Sequence, residues 1–145
     1  MKRTTEILNK ALADAKQNVK FMQNDVQRLK GNRRTLGRIV SKLVKCLRDD
    51  DHIHVSTGGH IYITMRNLPG FKSMELTMLL NTLENMGECK ETRETAECLN
   101  RDYVYNVEDT RVNVWAYADE DSGACQRVQV GVEHVERPKY MIVCN

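Results

Sequence analysis

Apolar residues in the first part of the chain fall at Leu8, Leu12, Ala15, Val19, Met22, Val26 and Leu29, in alternating steps of four and three. That period draws one narrow seam along an α-helix, the pattern of a coiled coil rather than the broader stripe of an ordinary surface helix. The same phase continues through Arg33, Leu36, Val40, Leu43 and Leu47, and Ile39 and Val44 widen the apolar face in this second half. A helix restarted after a turn has no reason to keep register. The spacing therefore predicts one helix from about Thr4 to Arg48, roughly 65 to 70 Å long at 1.5 Å per residue. Gly31-Asn32 is a natural helix stop, and glycine costs about 1 kcal/mol against alanine inside a helix. A kink or a two-helix hairpin there is the alternative. The narrow early seam calls for a partner helix, which a second copy of the chain supplies. In a parallel pair, Asp25 of one chain lies near Lys30 of the other. A seam packed within its own chain is the competing reading.

After Asp49-Asp50-Asp51, whose charge opposes a helix C-terminus and so belongs just outside it, the period falls to two. Ile53 and Val55 face one way, as do Ile61 and Ile63, and Ser56-Thr57-Gly58-Gly59 supplies the turn between them. A two-residue Gly58-Gly59 loop would pair Val55 with Tyr62 and mix the two faces. A three-residue loop, Thr57 to Gly59, pairs Val55 with Ile61 and Ile53 with Ile63, and keeps the apolar side chains together. Farther on, Ser73 can cap a helix that runs to about Met86 and is closed by Gly87, with Met74, Leu76, Leu79, Leu80, Leu83 and Met86 as a wide apolar face. Residues 88 to 100 are ambiguous between a strand and a helical turn. From Asp102 on, alternation returns in Tyr103 to Val107, Val112 to Ala118, Val128 to Val132 and Tyr140 to Cys144, which reads as an antiparallel β-meander. The fold class is α+β: a long coiled-coil-like helix, a β-hairpin, one packed helix and the meander.

Charge divides the chain more sharply than its net +2 suggests. Residues 1–50 carry thirteen Lys and Arg against five Asp and Glu, a net +8, and residues 51–145 carry nine against fifteen, a net −6. A basic arm, 1–50, is joined to an acidic body, 51–145. Arg28, Lys30, Arg33, Arg34, Arg38, Lys42, Lys45 and Arg48 crowd the second half of the arm. Lys30, Arg34, Arg38 and Lys42 recur every four residues and form a slowly winding ridge opposite the apolar stripe. Such a ridge can track DNA or RNA phosphates with steep salt dependence, or meet an acidic protein partner. A merely solvated helix face is the bland reading. No aromatic residue is interleaved with the ridge, which counts against base stacking there.

No apolar run is long enough to span a bilayer, and the start of the chain lacks a signal-peptide pattern, so the sequence predicts a soluble, cytoplasmic protein without membrane contact. Cys46, Cys89, Cys98, Cys125 and Cys144 are odd in number, scattered and without a Cys-x-x-Cys pair, which predicts reduced thiols.

His52, His54 and His60 supply the densest candidate chemistry. In the three-residue-loop register they share one hairpin face with Ser56, Tyr62 and Thr64, close enough to converge on a divalent transition metal with Asp51 as an added ligand, either structurally or as a hydrolytic centre. His-x-His on a strand is a weak signal, and a polar strand face accepts histidine without a metal. No phosphate loop, nucleophile elbow, His-Glu-x-x-His or Cys-x-x-Cys motif is present, so neither an enzyme nor a cofactor is expected. The residues favour a non-enzymatic protein-binding module: a homodimeric regulator or inhibitor of a nucleic-acid-handling complex, of the kind mobile elements encode. A nucleic-acid-binding protein using the basic ridge is the second reading.

Overall fold

The computed structural model describes residues 2–96, 99–132 and 138–145. Helix α1 (Lys2–Val44) runs without interruption through Gly31, and its 43 residues correspond to about 65 Å. It stops short of the expected Arg48. Cys46 N–H bonds Leu43 O at 3.0 Å and Leu47 N–H bonds Val44 O at 3.1 Å, so the last turn tightens to i→i−3 spacing. The Asp51 carboxylate then captures Arg48 N–H at 2.8 Å, and the chain turns into the sheet.

Strands β1 (His52–Val55) and β2 (Ile61–Leu68) form the expected hairpin, with Ile53 opposite Ile63 and Val55 opposite Ile61. Gly59 sits at φ +80, the left-handed position that closes a three-residue loop. Helix α2 (Met74–Met86) follows, and Gly87 ends it, donating its N–H to Leu83 O at 2.9 Å. The glycine is needed for space: a Cβ there would run into the carbonyl of Asn106 and lie 2.8 Å from the Val107 side chain. Ser73 stands at the N-cap position, but its hydroxyl makes no capping bond.

The ambiguous stretch is strand β3 (Glu88–Thr95), antiparallel to β4 (Asn100–Val107), which is antiparallel in turn to β5 (Thr110–Ala118). Glu108 and Asp109, both at positive φ (50 and 64), make the tight turn that joins β4 to β5. The meander ends at β5. Its far edge pairs in parallel with β2, with Ile61 opposite Val112 and Ile63 opposite Val114, giving one sheet in the order β1-β2-β5-β4-β3. Strands β6 (Cys125–Val132) and β7 (Pro138–Cys144) form their own antiparallel pair instead of extending it. Residues 133–137, between these two strands, lie outside the described residues.

Both helices lie on one face of the five-stranded sheet. Leu36, Ile39 and Leu43 of α1 and Leu76, Leu79 and Leu83 of α2 join Ile61, Ile63, Met65, Val112, Val114 and Tyr105 in one buried cluster. Each fully buried aliphatic side chain contributes about 1.5 to 3 kcal/mol. The core therefore crosses the charge boundary at residue 50. Val44, expected to widen the buried stripe, is 48% exposed, whereas Cys46 and Leu47 in the tightened turn stay packed against the core.

The thiols correct the expectation of reduced cysteines. Cys125 and Cys144 face each other across β6 and β7 with Cα atoms 4.2 Å apart and are joined as a disulfide. Their separation in sequence hid a pairing that the strand register creates. Cys46 and Cys89 are free, and Cys98 lies outside the described residues.

Candidate interaction surfaces

The first surface is the N-terminal half of α1. Leu8, Leu12, Val19, Met22 and Val26 are 51 to 68% exposed, and Ala15 is exposed with them. A shallow apolar groove runs along Val19, Met22 and Val26. Leu29 leaves the seam: it is half-buried and packs against the core. Ile7 and Phe21, 60 and 56% exposed, add apolar area beside the seam.

The basic ridge is divided by its partners. Lys30, Arg33, Arg34, Lys42 and Lys45 are exposed, and among the described residues none has a carboxylate within ion-pair distance. Arg28 stands 4.0 Å from Asp25 one turn away. Arg38 is paired with Glu108 in the β4–β5 turn, which ties the helix to the body. Arg48 is a tertiary anchor: its Nη2 donates to Asp51 at 2.8 Å and to the Arg66 carbonyl at 2.6 Å. The hydrogen bond to Asp51 holds the Arg48 guanidinium above its ordinary pKa, and the Asp51 side chain is only 1% exposed.

The hairpin histidines do not converge. His54 stacks on Tyr62, with ring centroids 5.1 Å apart and planes 16° from parallel. His60 folds back over its own loop, where a Cβ on Gly58 would come within 3.3 Å of its ring. Among the described residues no three His, Cys, Asp or Glu side chains gather where they could hold a metal ion.

What His54 joins is a surface that the sequence reading missed. Register places His52, His54, Tyr62, Thr64, Arg66, Arg111, Asn113, Trp115, Tyr117, Asp102 and Val104 on the sheet face opposite the helices. None of these side chains belongs to the buried cluster. Tyr62 lies 5.4 Å from Trp115, so three rings form a row across β1, β2 and β5, and the Arg66 guanidinium sits 4.8 Å from the centre of the Tyr117 ring. The available signal was the outward alternation Tyr62-x-Thr64-x-Arg66 and Arg111-x-Asn113-x-Trp115-x-Tyr117. Only the parallel pairing of β2 with β5 makes the two runs neighbours. Comparisons with known protein families, with curated proteins and with solved structures return no match to this chain. Among the described residues no helix is long and apolar enough to cross a membrane.

Proposed function

We propose that the chain is a non-enzymatic binding module that works as a homodimer through the seam of α1, a cytoplasmic regulator or inhibitor of a nucleic-acid-handling complex. The observation that carries this reading is the exposure of Leu8, Leu12, Val19, Met22 and Val26, all above half, on a helix whose other half is embedded in the core. Apolar residues in a 3.5-residue period on a free helix are what a second helix of the same kind buries. The division between a basic arm and an acidic body supports a charged, nucleic-acid-associated partner. Light scattering across a concentration series tests it. Wild type should give twice the chain mass, and Leu12→Asp with Val19→Asp should give the monomer mass with an unchanged body. A monomer mass for wild type at the highest concentration sinks the reading.

The second reading is phosphate binding by the ridge. It is favoured by five exposed cations that have no carboxylate partner among the described residues, and it now centres on Lys30, Arg33, Arg34, Lys42 and Lys45 rather than on Arg48. Duplex DNA or RNA titrated at rising salt should lose affinity, and Arg34→Glu with Lys42→Glu should abolish binding.

A further inference from the structure

We propose that the open face of the five-stranded sheet binds single-stranded nucleic acid, with one base stacked on Trp115 at the end of the His54–Tyr62–Trp115 row. The row stops at Trp115 because the next strand, β4, places Asp102 opposite it and Val104 two pairs along on the same face, while the intervening Tyr103 belongs to the core side. A concavity lies at that point, bordered by Trp115 and Asn113 of β5, Asp102, Tyr103 and Val104 of β4, the Arg93–Glu91 pair of β3, and Arg111. A planar ring entering it continues the stack. Stacking of this kind suits a base in a single strand, whose faces and pairing edges are free, and not a base inside a duplex.

The polar groups around the slot fit the rest of a nucleotide. Asp102 accepts a hydrogen bond from the Asn100 amide at 2.8 Å, which fixes the carboxylate. A fixed carboxylate accepts from an amino group on a base edge. Arg111 is oriented by Asn113, to which its Nε donates at 3.0 Å, and Arg66 is held on Tyr117. These two guanidiniums border the ring row, where they can meet phosphates, and Arg93, whose Nε donates to Glu91 at 2.6 Å, keeps its terminal nitrogens for a third. Charge on the face runs against the body that carries it. Residues 51–145 are net −6, whereas on this face Glu91 is paired with Arg93 at 2.6 Å and Glu88 at the corner with Lys90 at 2.8 Å, which leaves Arg66 and Arg111 against Asp102. The face is open rather than enclosed and, with five strands, about 19 Å across, a shape for an extended polymer rather than a small molecule.

Trp115 is the chain's one tryptophan, so its fluorescence reports occupancy of the site directly. A short single-stranded oligonucleotide titrated into the 145-residue chain at low salt should quench it. Affinity should fall with a log–log salt slope of about −2 for three phosphates. Arg66→Ala with Arg111→Ala should weaken binding roughly tenfold or more. Arg93→Glu, at a side chain 71% exposed, should weaken it with unchanged circular dichroism and melting. Arg34→Glu with Lys42→Glu, on the helix ridge, should leave the quench intact. The proposal is overturned by no quench, the result expected of a face made for protein alone. It is overturned equally if duplex or mononucleotide quenches as well as the single strand, or if the ridge variant abolishes the signal. None of these readouts depends on the chain being a dimer.

Discussion

The two halves of α1 share one helix and one heptad phase, yet they meet opposite fates. Leu12 is 55% exposed and Leu43 is fully buried. Periodicity alone therefore sets which side of a helix is apolar, not what covers it. The cover comes from elements far along the chain. The second half is buried because β2, β4, β5 and α2 assemble a surface for Leu36, Ile39 and Leu43, and the first half projects beyond that surface.

Four substitutions probe this contrast, in falling order of the stability each should cost, the last one being a gain. Leu43→Ala removes a fully buried side chain and should cost about 2 to 5 kcal/mol in denaturant unfolding, independent of protein concentration. Asp51→Ala strips the partly buried Arg48 of its carboxylate and the end of α1 of its clamp. About 1 to 3 kcal/mol should be lost, and a loss near zero would mean that the body holds α1 by packing alone. Leu12→Ala is the same chemical change as Leu43→Ala on the same helix. In dilute protein it should shift unfolding by less than about 0.5 kcal/mol. A cost comparable to that of Leu43 would show that the first half is packed within its own chain. Gly31→Ala, where an added Cβ meets nothing within 4 Å, should stabilise by about 0.5 to 1 kcal/mol, read as a small rise in melting temperature. Destabilisation would reveal a bend at the junction of the two halves.

Local signals were legible in the sequence. The helix, the hairpin and its three-residue loop, and the closure of α2 at Gly87 all rest on periods and turn residues within a short window. Pairings between distant segments were not. Nothing in Ile61-Tyr62-Ile63 announces Val112 as a parallel neighbour, and the ring row and its slot exist only through that pairing. Strand β3 was hidden for another reason: every residue from Glu88 to Thr95 is exposed, so an edge strand of this composition has no apolar alternation to read. The β6–β7 pair and its disulfide were obscured because alternation identifies a strand without naming its partner.

Pairing Ile61 with Val112 also dictates the order in which the molecule can be completed. During synthesis from the amino end, α1, the hairpin and α2 emerge well before β5, and closing that loop delays the middle of the sheet. Until Thr110 to Ala118 arrive, one edge of β2 is an unpaired strand beside an uncovered apolar face. Nascent or prematurely terminated chains of this protein are thus expected to need chaperone cover, and fragments ending before Ala118 to aggregate rather than persist as a smaller folded unit.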